Sequence, residues 1–436
     1  MHRTTRTTKT IKTARICRAK ARGRLKAFFA VMAAAAVPLS MSGCMPYKEL
    51  KEESIVEGVG IDYGLEGYTL TFQIYKPSGG GGGGGGGGNT SKSGSSNTVT
   101  LLTTSGSSLF DAVRNATLQN GRQLYFSNTR AYVIGENVCG ENFSKLLDFM
   151  ERNQQIRPTD RIIVAKGKAA DILNFKKNGE IVPAMNLQLM MQEYVQTSKL
   201  ADVQIFDISK DVATGITDPV VAAVTIKNSD DGEGVLEMDG TAVIHNEKLA
   251  GYLDKEETRG FLWITGKTQG GVLTLQLPDG GTASMEVLTS SSKISLSGSD
   301  AAPVIKVDLS ASTNLTEVQS QKTHSMDQRF VEELQNIQNR TITAEANSAI
   351  EKALKTYDAD IFGFGMGIFE NRPELWHKIG DSWNMYDKDI KVEVTTTSTV
   401  KHTGLTTETA RYERPGARRA PRLLSAFSPL LKLGLA

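Results

Sequence analysis

The sequence predicts an α+β protein: three consecutive α/β domains, each a mixed β-sheet packed with helices, behind a lipoprotein signal peptide. Three observations predict it. A basic N-terminus is followed by a short apolar run ending in Gly43-Cys44. Strand and helix patterns alternate through the first half, which places helices on a sheet. A β-rich middle then gives way to a long amphipathic helix in the last third.

Residues 1–26 carry ten Lys/Arg and no acid, and the stretch from Ala27 to Gly43 is uncharged. A positive region, a short apolar core and small residues before a cut site make a secretory signal. Leu39-Ser40-Met41-Ser42-Gly43-Cys44 resembles a bacterial lipobox, with Met41 where Leu is usual. Cleavage after Gly43 leaves Cys44 first, where covalent diacylglycerol and an N-acyl lipid can attach; no other cofactor and no metal are expected. Each buried methylene adds roughly 0.8 kcal/mol, so two chains hold a bilayer more firmly than one. The Ala-rich run, interrupted by Pro38, falls short of the roughly 20 strongly apolar residues that a membrane span needs.

Of 436 residues, most remain after the signal, enough for two or three domains at roughly 100–200 residues each. The formal charge of +2 hides an acidic body, because residues 27–410 hold 34 Lys/Arg against 47 Asp/Glu. That balance excludes a nucleic-acid footprint. Cys17 leaves with the signal and Cys44 is used by lipid. Cys139 is left alone, so no internal disulfide forms.

In order, Ser54–Asp62 and Tyr68–Tyr75 alternate as strands around a turn at Gly64–Gly67. Residues 77–97, with ten consecutive glycines, read as a flexible loop. Thr98–Thr104 is a strand, Ser107 or Ser108 caps a helix to about Gln119, and strands at Arg130–Ile134 and Arg161–Ala165 alternate with helices at Phe143–Arg152 and Ala169–Phe175. Pro183–Ser198 is a Met-rich helix whose Met185, Met190 and Met191 suit core filling. From Val203 to Leu309 the pattern is β, including Phe261–Thr265, interrupted by a short helix at Lys255–Gly260. A helix from His324 to Tyr357 slips once around Thr341-Ile342-Thr343 and ends at Asp358-Ala359-Asp360. Pro373 opens another helix, with Trp376, Ile379 and Trp383 on one face. Ile390–Val400 is the last strand. The expected division is a signal over 1–43, an N-terminal α/β domain over 44–200, a β-rich domain over 201–281, a C-terminal α/β domain over 282–404 and a basic tail over 405–436.

No constellation carries catalysis. Gly266-Lys267-Thr268 imitates the end of a phosphate loop, but Phe261 stands where its first glycine belongs. Gly363-x-Gly365-x-Gly367 lacks dinucleotide spacing and follows a helix, so backbone conformation or close helix packing explains it better. The five histidines show no zinc spacing. Asp358 and Asp360, at a helix end, suit solvation or capping, and the Trp376/Trp383 face suits a core. The residues alone give a membrane-tethered, non-enzymatic α+β protein.

A family resemblance adds to this. The lipobox cysteine, Glu57-Gly58-Val59-Gly60-Ile61-Asp62, Tyr125-Phe126-Ser127-Asn128-Thr129-Arg130, Gly240-Thr241-Ala242-Val243, Glu256-Glu257-Thr258-Arg259-Gly260 and Ala359-Asp360-Ile361-Phe362-Gly363-Phe364-Gly365 occur in order. With Pro373, Trp376 and Trp383 they resemble the Ger(x)C family of spore germination lipoproteins over about residues 44–404. The resemblance implies the C subunit of a nutrient germinant receptor, acting without catalysis beside A and B membrane subunits. It also implies a lipid-anchored place on the outer face of the spore inner membrane, and makes Asp360, Gly363, Gly365, Pro373, Trp376 and Trp383 a structural motif. Met45-Pro46 replaces the Trp common after the lipidated cysteine, and the polyglycine loop and basic tail are not family features. A solute-binding lipoprotein of an uptake system is the alternative.

Overall fold

Ala131-Tyr132-Val133-Ile134 and Ile162-Ile163-Val164-Ala165 are apolar or aromatic at every position, and every one of these residues is buried. Such unbroken runs belong to parallel strands covered on both faces. In the computed structural model these runs lie inside a sheet of nine strands. The residues described are 53–76, 99–140, 143–175, 182–228, 234–300, 302–320, 324–383 and 390–404. Gly43, Cys44, the loop 77–97 and the tail 405–436 lie outside them.

The elements that build the first sheet are β1 (Glu53–Gly64), β2 (Gly67–Tyr75), β3 (Val99–Gly106), α1 (Leu109–Asn120), β4 (Gln123–Tyr125), β5 (Ala131–Gly135), α2 (Glu136–Cys139) and α3 (Phe143–Arg152). They continue with β6 (Ile162–Ala165), α4 (Ala169–Asn174), α5 (Pro183–Gln192), α6 (Ile205–Thr214), β7 (Val220–Asn228), β8 (Gly234–His245) and β9 (Lys248–Leu253). The strand order is β3-β2-β1-β5-β6-β7-β8-β9, with β4 beside β1. The four strands β1, β5, β6 and β7 run parallel, and the flanking pairs are antiparallel. Strands on both sides of residue 200 therefore share one sheet. Tyr132, Ile134, Ile162 and Val164 face a core with α1 and α3, and Ala131, Val133, Ile163 and Ala165 face a second core with α4 and α5.

Three residues of β1 and β2 fix the helices. The Asp62 carboxylate accepts the backbone N–H groups of Ala169 and Ala170 at 2.9 and 3.0 Å and so caps α4. Gln73 on β2 donates to the Leu173 carbonyl at 2.7 Å and accepts from the Ala184 N–H at 3.1 Å, joining the end of α4 to the start of α5. Gly58 lets α5 approach, since a Cβ there would lie 2.6 Å from that of Ala184.

The remaining elements are α7 (Lys255–Ile264), β10 (Val272–Gln276), β11 (Thr282–Ser299), β12 (Ala302–Gln319), α8 (Gln328–Ile350), α9 (Phe364–Asn371), α10 (Pro373–Ile379) and β13 (Lys391–His402). Strands β10-β11-β12-β13 form the second sheet, with β12 and β13 parallel. Phe330, Leu334, Ile337 and Ile342 of α8 share a core with Leu273, Leu275, Ile305 and Val307 of that sheet. Helix α7 is buried from Thr258 to Ile264. Its Arg259 grips Glu345 of α8 by Nε at 2.9 Å and Nη2 at 2.5 Å, and Trp263 donates its indole N–H to the same carboxylate at 3.0 Å. Gly260 sits where a Cβ would meet the Glu345 carbonyl oxygen at 2.1 Å. These contacts account for Arg259-Gly260 in the sequence. No described helix is long and apolar enough to cross a membrane.

Several expected elements differ. The expected strand Phe261–Thr265 is instead the end of helix α7, with Thr265 as its C-cap: Asp254 and Glu257 form a capping box that starts α7, and an apolar run in a helix buried all round has no period to distinguish it. Residues 205–214 are also a helix, with Gly215 at φ 64° as its left-handed end. The strands expected at Ser284–Leu288 and Ile294–Leu296 are parts of one, β11, bent by a register shift between Val287 and Thr289. Helix α8 starts at Gln328 because Asp327 accepts the Phe330 N–H at 3.0 Å. It runs straight through 341–343, and its irregular turn, a π-helical one, comes at Glu351–Thr356. Of the three methionines read as filler, Met191 is buried, but Met185 is exposed.

Candidate functional site

The stretch from Asp358 to Trp383 closes the junction between the two sheets, and one carboxylate organises it. After the π-helical turn, Asp358 takes a left-handed conformation at φ 60°, and the Ala359 N–H reaches back to the Ala353 carbonyl at 3.0 Å. This reversal buries Asp360, which is 1% exposed. Its carboxylate accepts backbone N–H groups from Phe362 at 3.2 Å, Phe364 at 3.1 Å and Gly365 at 2.6 Å. The Phe364 and Gly365 donors are the open first turn of α9, so Asp360 caps that helix from inside the core. Burial pushes its carboxyl up to about 6, opposed by the N–H groups of Gly365 and Phe364, while the nearby Asp218 carboxylate pushes it further up.

The glycines divide by role. Gly363 has φ 75°, which lets the chain turn into α9, and a side chain there would be strained. Gly365 admits a ring: a Cβ there would lie 2.7 Å from the indole nitrogen of Trp383 and 3.0 Å from Ile216. Gly367 has neither constraint. The close approach is thus to Trp383, beyond the second helix. Pro373 occupies the first turn of α10, where its missing N–H costs nothing. That helix stops at Ile379, and a 3-10 turn over Gly380–Ser382 carries the chain to Trp383. The rings of Trp376 and Trp383 still meet, with centroids 5.8 Å apart, and Phe369 stands edge-on to Trp376 at 6.0 Å. Trp383, Leu375 and Ile379 are buried, and Trp376 is half-buried.

Asp218 and Asp211 of this junction were not singled out from the sequence, and His245 was weighed there only as one of five scattered histidines. The Asp218 N–H donates to the Asp360 carbonyl at 2.8 Å, and the Asp360 N–H returns to the Asp218 carboxylate at 2.9 Å. The other Asp218 oxygen lies 3.0 Å from His245 Nδ1, and Nε2 of that ring lies 2.7 Å from the Asn246 amide. Both ring nitrogens are thus engaged, Nδ1 by Asp218 and Nε2 by Asn246. The signal available was Asp218-Pro219 before a strand and His245-Asn246 at its hairpin partner, where Asn246 and Glu247 both have positive φ. A cleft of about 400 Å³ opens beside this network, lined by Asp207, Lys210, Asp211, Lys267, Phe362 and Met366 among others. Burial pushes the Asp211 carboxyl up to about 6, against the pull of Lys210 and Lys267.

Elsewhere, Gly266 has φ 67° and follows the end of α7, where the Lys267 N–H bonds back to the Leu262 carbonyl at 2.9 Å; Gly266-Lys267-Thr268 thus closes a helix. The Cys139 thiol is fully buried and pushed up to about 12. Among the described residues no three His, Cys, Asp or Glu side chains stand together as metal ligands.

The fold and this junction define a two-sheet α+β protein whose last third is locked to the first sheet by a buried helix-capping aspartate. Residues 46–226 match the family described as the spore germination protein N-terminal domain, and residues 239–404 match the spore germination B3/GerAC-like C-terminal family. The chain belongs to the Ger(x)C family of spore germination proteins. It is 26% identical to spore germination protein KC of Bacillus subtilis (strain 168), covering 86% of this chain and 95% of that one. Spore germination protein B3 of the same organism is 22% identical over 82% of this chain and 93% of its own. A crystal structure of the GerBC protein superimposes with a TM-score of 0.52 at 19% identity, covering 79% of this chain and 96% of that one, and shares the fold.

Proposed function

We propose that this chain is the C subunit of a spore nutrient germinant receptor. It acts without catalysis beside A and B membrane subunits, on the outer face of the spore inner membrane, held by diacylglycerol and an N-acyl chain on Cys44. The observation that supports this reading most is the order of the family matches, which run from residue 46 to 404 and begin two residues after that cysteine. The junction at Asp360 supports a mechanical role, because two hydrogen bonds tie it to Asp218, just ahead of β7 in the first sheet. Labelling with a radioactive fatty acid tests the anchor: Cys44→Ala is expected to lose the label and to reduce germination. Equal incorporation into the variant would end the anchor reading. Co-purification from spore membranes with a permease-like partner tests the receptor reading, and its absence from such complexes would overturn it.

A further inference from the structure

A groove of about 700 Å³ lies at the end of the first sheet remote from Glu53, where the chain enters it. Tyr63 and Tyr68 from the β1–β2 hairpin line it, with ring centroids 4.9 Å apart. Phe110 and Arg114 come from successive turns of α1, and Lys145, Phe149 and Arg152 from α3 and its end. A side pocket of about 100 Å³ shares Phe110, Arg114, Asn153 and Gln155 with it. The volume matches small-molecule sites, and the walls combine aromatic area with a few polar groups as such sites do.

Three features give the occupant its chemistry. Among the described residues the charged lining holds Arg114, Lys145, Arg152 and Asp148, on a body that is otherwise acidic. Asp148 is taken by Arg152 at 2.8 Å, whereas the Arg114 guanidinium stacks 4.8 Å from the Phe110 ring centroid and pairs with no acid among the described residues. Phe110 is itself 55% exposed, an aromatic face left in water beside a cation. Finally, Tyr68, 6% exposed, adds a further aromatic residue to the lining.

We infer that this groove binds a small organic anion with an aromatic or apolar body. Its carboxylate takes the two-pronged Arg114 guanidinium, and its body packs on Phe110, Tyr63 and Phe149. The inference rests on the groove alone and stands apart from the receptor reading.

The probes are 3-phenylpropionate and its uncharged amide, titrated calorimetrically into the full chain in a non-ionic detergent. The acid is expected to bind saturably and about tenfold or more tighter than the amide, the worth of a charge-assisted hydrogen bond. Arg114→Gln, at an exposed position that folding does not need, weakens the acid about tenfold and leaves the amide unchanged. Equal affinity for acid and amide, no saturation up to about 10 mM, or an Arg114→Gln protein that binds the acid as the parent does would each overturn the inference.

Discussion

Asp62 and Asp360 are both buried carboxylates that receive the first N–H groups of a helix. Asp62 reaches Ala169 and Ala170, 107 and 108 residues away, across the edge between β1 and α4. Asp360 reaches Phe362, Phe364 and Gly365 within five residues of itself. Burial raises both carboxyls above the ordinary range, and their N–H partners pull both back down. The local cap needs help from outside, because a fully buried carboxylate must be held where water cannot solvate it. That help is Asp218, which exchanges two backbone-centred hydrogen bonds with Asp360, and Trp383, which packs over Gly365. The distant cap is held by the sheet itself. One aspartate is thus a fastening between remote segments, and the other a local knot that remote segments tighten.

The largest effect expected on this comparison comes from the ring over the knot. Trp383→Ala removes a buried indole and should cost about 3–5 kcal/mol, with Gly365→Val similarly destabilising through its clash with that ring. Denaturant unfolding of the full chain measures both. If both proteins keep wild-type stability while spores fail to germinate, the stretch is a contact surface for partners and not a core.

Exchanging the carboxylates separates the two caps next. Asp360→Asn turns an amide N–H₂ toward one of three buried N–H donors and should cost about 3 kcal/mol, against about 1–2 kcal/mol for Asp62→Asn. The pH dependence sharpens this. The Asp360 carboxyl stands at about 6 in the fold, above its ordinary value of 3.8, so in that window the folded chain binds more protons than the unfolded one. Stability then falls as pH rises from about 4 to about 6 and levels off above. Asp211, also raised to about 6, contributes with the same sign but is present in both proteins, so the wild-type minus Asp360→Asn difference isolates the knot. A difference curve that is flat across that window would mean that Asp360 does not titrate there.

The smallest effect distinguishes two glycines of the same stretch. Gly363→Ala should cost about 1 kcal/mol or more, because φ is positive there. Gly367→Ala, with nothing near its Cβ position, should be neutral or stabilise α9 by up to about 1 kcal/mol. Equal melting temperatures for the two variants would remove the left-handed turn from the account of the knot.

What the sequence determined by itself is local. Apolar runs marked β5 and β6, Pro373 marked the start of α10, and Gly363 and Gly365 marked a stretch constrained in backbone conformation or packing, since all three signals lie within a few residues of what they control. The ordered family markers likewise fixed the Ger(x)C membership. Only the tertiary structure decided the rest. It made Phe261–Ile264 helical, because burial on all sides erases the period that separates helix from strand. It joined Asp62 to α4, Arg259 to Glu345 and Asp218 to Asp360, because a carboxylate carries no mark of a partner 86 to 142 residues away until the chain has folded.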